Sequence, residues 1–262
     1  MSTVMGLTIG IVMGNRGGAA GFTPAALFTA SEKGAWYDPS DLASMFQLST
    51  GTIAAAVNSP VGYLADKSGN GNHAIQANLG SRPILRQSGA LYYLDFDGVD
   101  DRLVATLTAT ITGTVVTGVV AARYTTGAAN FGKYLAATNG VAASDVSVAN
   151  ILFSFNSTGN TFPIHINAGT AIALAADTDA VIHVDLTATN LRNKLDAGAL
   201  LSSAHGQATA LGITLLGLMA EPTAGNFQFG RFHGGLVINR LLTTAEQTSL
   251  TTYLAAKQGR TL

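Results

Sequence analysis

Thr106, Thr108, Thr110, Thr112 and Thr114 alternate with Leu107, Ala109 and Ile111. Successive side chains of an extended strand point to opposite faces, so this period of two makes one hydroxyl face and one apolar face. Residues 103–122 carry no charge, and such a stretch is about long enough to cross a bilayer as a helix. The alternation assigns it to a sheet instead. From about Val61 to Gly235 the chain repeats this style, with short apolar or alternating runs broken by Gly, Asn and Asp. Candidate strands are 92–96, 103–109, 115–124, 150–155, 162–166, 181–186, 213–218 and 236–239. Many short strands between turn residues predict an all-β, two-sheet antiparallel sandwich. No solenoid-type repeat is visible.

The two ends read differently. Residues 1–30 form a Gly- and Ala-rich apolar leader with glycines at 6, 10, 14, 17, 18 and 21, too many for a stable lone helix. They are assigned as an extended N-terminal arm, and residues 31–262 as the domain. The apolar run from Met5 to Met13 is too short to span a bilayer. No basic stretch precedes it, so neither a membrane span nor a signal peptide is expected. Thr23 before Pro24 predicts a short helical turn. Asp38 before Pro39 repeats that signal, and Leu42, Met45 and Phe46 then share a helical face. At the C-terminus Thr243 and Glu246 fit a capping box, Leu250, Tyr253 and Leu254 form one apolar face, and Gly259 is a stop signal. These predict a helix over 244–258, packed on the sheet edge.

Charge limits the partners. Only 11% of the residues are charged, the net charge is −1, and glutamate occurs three times, as Glu32, Glu221 and Glu246. A nucleic-acid binder would show a basic stripe, so nucleic acid is excluded as a partner. A surface so poor in charge is weakly defended against association, which suits a homo-oligomer or a subunit covered by neighbours. With no cysteine there is neither a disulfide framework nor a thiolate metal site.

Several chemical signatures begin and then fail. The stretch from Gly127 to Tyr134 (GAANFGKY) has phosphate-loop spacing but puts Tyr134 where a magnesium-binding hydroxyl belongs. The five histidines are scattered, and His165 and His183 fall inside predicted strands as core or face residues. Asp95 and Asp97 lie at i, i+2 on one strand face, a pair that could serve glycoside hydrolysis. The following Gly98-Val99-Asp100-Asp101 reads as a turn. From Asp66 to Asn72 oxygen side chains recur at every second position with Gly71 sixth, as in a calcium loop. Ala77 occupies the twelfth position, so a full EF-hand is excluded, and Asn70-Gly71 makes a tight turn unaided. Trp36 is read as a core anchor. Tyr37, Tyr92 and Tyr134 are candidates for stacking on a glycan, with core packing as the competing use.

Two stretches, Asp66 to Ala74 (DKSGNGNHA) and Tyr93 to Leu103 (YLDFDGVDDRL), together resemble the laminin-G-like, concanavalin-A-like jelly-roll domains. Residues 235–246 resemble that family's closing strand and helix, so the likeness covers about 35–260. It implies a jelly roll and, where calcium binds in the wider family, loop oxygens as ligands. The matching candidates are Asp66, Asn70, Asp97, Asp100 and Asp101, and no other cofactor is implied. The opening from Gly34 to Leu42 (GAWYDPSDL), after a Gly-rich leader, resembles jelly-roll proteins of tailed-phage particles. The leading functional expectation is therefore a non-enzymatic virion structural protein, decorating a capsid or forming part of a tail tip or fibre. In that reading the arm docks on other virion proteins. The alternatives are a carbohydrate-binding, lectin-like module for cell-surface glycan and a glycan hydrolase.

Overall fold

The computed structural model describes residues 21–125, 132–139, 151–154, 161–162, 172–175, 177–204, 211–223 and 225–262. In chain order the strands are β1 (Gly34–Tyr37), β2 (Met45–Phe46), β3 (Tyr63–Leu64), β4 (Ala74–Ile75), β5 (Ile84–Ser88), β6 (Leu91–Asp97), β7 (Leu103–Gly113), β8 (Val116–Tyr124) and β9 (Lys133–Thr138). They continue as β10 (Ile151–Ser154), β11 (Thr161–Phe162), β12 (Ile172–Ala173), β13 (Asp179–Leu186), β14 (Asn190–Leu195), β15 (Leu201–Ala204), β16 (Leu211–Leu218) and β17 (Phe229–Ile238). One helix, α1 (Thr244–Lys257), follows.

The strands build two large antiparallel sheets and a small ribbon. The first sheet runs β15-β14-β13-β8-β17-β6-β5, and β1 pairs with the far half of β17 beyond β6. The second runs β10-β9-β16-β7-β4-β3-β2, and β11 pairs with β12. The main core lies between the large sheets. It takes Leu94, Phe96, Val120, Ile182, Val184 and Phe232 from the first, and Leu64, Leu103, Leu107, Ile111, Leu135 and Leu218 from the second. In β7 the alternation is realised in part: Leu107 and Ile111 are buried while Thr106, Thr108 and Thr112 face solvent, but Ala109, read on the apolar face, is exposed where the pairing with β16 shifts register.

The first sheet is apolar on both faces. In β8, Val116, Val120 and Ala122 enter the main core, whereas Val119 and Ala121 point outward. Leu236 and Ile238 of β17 and Val181 of β13 join that outer apolar face. Helix α1 covers it with Leu250, Leu254 and Ala255, and Leu27 and Trp36 complete this second core. The predicted position of the helix is thus corrected. It lies across the central strands β8, β13 and β17, because those strands carry apolar residues that an edge position would leave in water. The capping box forms as read: Thr243 Oγ1 accepts from Glu246 N and Glu246 accepts from Thr243 N. Gly259 ends the helix at φ +74°.

Two further readings change. No α-helix follows Asp38. Asp41 caps a single 3₁₀ turn, Leu42–Ser44, and Met45 then enters strand β2 with its side chain in the main core. Of the assigned arm, residues 1–20 lie outside the described part. Residues 24–27 form the expected short turn, a 3₁₀ helix, and Leu27, with Phe22 and Phe28, packs into the second core. Among the described residues no helix is long and apolar enough to cross a membrane.

Removing apolar bulk from this second core should be costly. Leu254→Ala is expected to lose about 2–5 kcal/mol, and Thr243→Ala about 1 kcal/mol through the lost cap, both read as shifts of the urea midpoint.

Candidate functional site

The loop after β3 is a clasp. Asp66 Oδ1 accepts from Trp36 N at 2.9 Å and Ser68 N at 2.8 Å, and Oδ2 from Ser68 Oγ at 2.8 Å and Asn72 N at 2.9 Å. The amides of Asn70 and Asn72 both donate to Gly34 O, while Asn72 Oδ1 accepts from Thr108 N. The alternating oxygen side chains thus tie β1 to the second sheet. Both oxygens of Asp66 are already occupied by N–H and O–H donors.

The turn after β6 is separate. Asp97 Oδ1 accepts from the amides of Val99, Asp100 and Asp101, and Asp101 Oδ2 accepts from Asp97 N. Asp100 Oδ2 accepts from Ser81 Oγ. One carboxylate oxygen from each of these aspartates lies within 4.8 Å of the others, so this trio could hold a cation. The five residues read as calcium ligands therefore divide between two places. Desolvation, then the like charges of Asp97, Asp100 and Asp95, pushes Asp101 up to about 7. Asp95 faces Arg86 at 3.6 Å and Asp97 is held by the turn, so neither of the pair read as catalytic is free of a structural partner.

Burial corrects two of the three tyrosines read as stacking platforms. Tyr37 is 1% exposed and Tyr134 is fully buried, both inside the main core. Tyr37 spends its hydroxyl on Asn72 O. Tyr92 is half-buried against the same core. A ring enclosed between two sheets presents no face to a sugar. Trp36 is buried in the second core, edge-on to Tyr253. The phosphate-loop-like segment lies outside the described residues except for its last three; there Lys133 opens β9 and is buried. His165 also lies outside them.

A groove emerges where none was read. It lies on the outer face of the first sheet, between the β14–β15 turn and the N-terminal half of α1, with a volume of about 530 Å³. Thr243, Thr244, Gln247, Thr248, Thr251 and Thr252 of the cap and helix form one wall. Arg192 and Lys194 of β14 face them. Alternation puts both on the outer face, since Leu191 points into the main core. Register places Arg192 opposite Asp185 and Lys194 opposite His183. Asp185 accepts from Thr117 Oγ1 at 2.6 Å and from Arg192 Nη2 at 2.8 Å.

His183 has a fixed tautomer. Thr251 Oγ1 donates its one proton to Gln247 O at 2.6 Å. Its contact with His183 Nε2, also 2.6 Å, therefore needs Nε2–H as the donor. Burial, then the nearby Lys194 charge, holds this imidazole down at about 3, so it is neutral at pH 7. Burial also lowers Lys194 from the usual lysine range, although Asp185 opposes the shift. The sequence offered one signal for this groove: two basic residues at i, i+2 within Asn190–Leu195 of a chain so sparing of charge.

No family model and no curated protein matches this sequence. Solved structures do. A GH54 α-L-arabinofuranosidase soaked with a cyclic sulfate inhibitor matches at TM-score 0.57 and 13% identity, over 85% of this chain and 62% of that one. An arabinofuranosidase complexed with arabinofuranosyl-α-1,2-xylobiose matches at TM-score 0.53 and 13% identity, over 77% and 52%. The Trypanosoma rangeli sialidase in complex with a difluoro-KDN matches at TM-score 0.54 and 12% identity, over 85% and 33%. This chain thus spans about a third to three fifths of those proteins. Such likeness establishes a shared fold, and it overturns two expectations. The sandwich taken as the ground for a phage-particle subunit is found here in glycan-cleaving proteins, so the virion role is withdrawn. The exclusion of enzymatic activity is withdrawn on the same finding.

Two outcomes are expected. Asp66→Ala strands four donors and should lose at least ~2 kcal/mol, with no recovery on adding calcium. Asp101 keeps its proton in the fold up to about pH 7 but releases it near 3.8 when unfolded. The folded state then binds the extra proton, so stability falls as pH rises through that window. Urea midpoints at pH 5 and pH 7.5 should show that fall in the wild type and a flatter profile in Asp101→Asn.

Proposed function

We propose that this chain is a carbohydrate-binding, lectin-like unit with a jelly-roll fold of the concanavalin-A/laminin-G type. The observation that carries the reading is the outer-face groove. Its size is that of a small-molecule site, and its helical wall is almost wholly hydroxyl and amide, the groups that pair with sugar hydroxyls. The glycosidase neighbours support it at the level of fold. Its lining, which contains no aromatic ring among the described residues, directs recognition to hydrogen bonds. The lining also contains no aspartate or glutamate side chain, so the paired acids of glycoside hydrolysis would have to come from elsewhere in the protein.

The test is calorimetric titration with arabino-, xylo- and sialyl-oligosaccharides, followed by chromatography for released sugar. Thr248→Trp fills the groove from an exposed helix position. It is expected to weaken binding about tenfold or more with an unchanged melting temperature. Unchanged affinity in Thr248→Trp would remove the groove from the reading. Released sugar would assign catalysis in addition.

A further inference from the structure

The helical wall of the groove has a hydrogen-bond direction. Thr243 Oγ1 donates to Glu246 Oε2, Thr248 Oγ1 to Thr244 O, and Thr251 Oγ1 to Gln247 O. A hydroxyl carries one proton, so three of the five lining threonines have none left to give. Gln247 is oriented in the same sense. Its Nε2 donates to Leu242 O at 3.2 Å, and because a carbonyl only accepts, that bond fixes which end of the amide is which. Its Oε1 has no partner among the described residues and is not sealed off from solvent. Gln247 is only 8% exposed, and it lines the groove. The helix therefore presents acceptors, Gln247 Oε1 first among them. The facing strand presents a donor, since the Lys194 ammonium has protons and no lone pair and borders the same groove. Register sets Lys194 opposite His183, whose Nε2 meets Thr251, one helical turn from Gln247. Net charge does not distinguish the groove: Asp185 answers Arg192, and the α-carboxylate of Leu262 lines it together with Lys194.

We infer that the groove selects its saccharide by hydrogen-bond direction, with Gln247 as the specificity-determining residue: a free sugar hydroxyl donates to Gln247 Oε1 while another sugar oxygen accepts from the Lys194 ammonium. The inference rests on the glycan reading and deepens it. The ligand class is a saccharide whose hydroxyls on the helix side are unsubstituted. An O-methyl ether or O-acyl ester there keeps an oxygen but has no proton to give. It covers Gln247 Oε1 and leaves that acceptor unsatisfied, which costs more than a typical hydrogen bond returns. The partner of Lys194 needs only a lone pair, so substitution on its oxygen is tolerated in hydrogen-bonding terms.

The experiment is titration calorimetry on the full chain with xylotriose, arabinotriose and sialyllactose, each beside its per-O-methylated form. The free sugar is expected to bind about tenfold or more tighter than the methylated one. Gln247→Met removes the acceptor at similar bulk. It should weaken the free sugar, leave the methylated one as it was, and so shrink the preference. Lys194→Met should weaken both forms alike and keep the preference, because the oxygen that Lys194 meets survives methylation. A merely structural Gln247, needed only for its bond to Leu242, would lower the melting temperature and weaken both forms equally, which overturns the inference. Equal affinity for free and methylated sugar in the wild type, or a preference unaltered in Gln247→Met, also overturns it and leaves the glycan reading standing. So does a preference lost in Lys194→Met, which decides the matter if Gln247→Met does not fold. No affinity for any of the three trisaccharides overturns both.

Discussion

The apolar outer face of β8 and β17 is the constraint from which the rest follows. A sandwich needs each sheet to be apolar on one side only. Here Val119, Ala121, Leu236 and Ile238 make the first sheet apolar on the other side too. Exposed, that patch would be a site of association. Helix α1, Leu27 and Trp36 cover it, so the molecule has three layers over its central strands. The cover ends before the sheet does. Beyond Val181 the outer face of β13 turns polar at His183 and Asp185, and β14 continues it with Arg192 and Lys194. The groove is the gap between a helix that must sit over the apolar strands and a sheet that extends past it.

How legible this was depends on how local each signal is. β7 was readable because its two faces meet different surroundings, and α1 because its cap and its stop lie in the sequence beside it. β8 was readable as a strand, but its continuous apolar run did not reveal that a second layer covers it. β1 was missed, since its four residues are buried throughout and are held by Asp66, Asn70 and Asn72 across some thirty positions of sequence. The helix expected after Asp38 failed for a related reason. Asp38 does accept from Ser40, as a turn-former would, but its other oxygen takes the Tyr253 hydroxyl from α1 and lies 3.3 Å from the Lys257 ammonium. Tertiary partners outweigh the local helix signal.

The site followed the same rule. The acidic turn after β6 was legible because its three aspartates are neighbours in sequence. The groove was not, because it joins β14 to a helix some fifty residues later, and only strand pairing sets Lys194 beside His183. Tyr37 and Tyr134 were misplaced because aromatic side chains give no sequence sign of which side of a strand they occupy when both sides are covered. Gly34 shows how tightly the layers close. A Cβ there would lie 1.9 Å from Val237 O, and its φ of +133° suits glycine alone.

The helix that walls the groove is moored at both ends. At its start Arg240 grips Glu246 through both carboxylate oxygens. At its finish Gln258 donates to the carbonyls of Ala122 and Ala180, and Arg260 reaches Asp196. Between these points His183 Nε2–H fastens Thr251 to the sheet. A wall so secured has little freedom left to surrender when something settles against it. The entropic cost of association then falls almost entirely on the incoming molecule, and stiff, branched partners gain more from such a surface than long flexible ones.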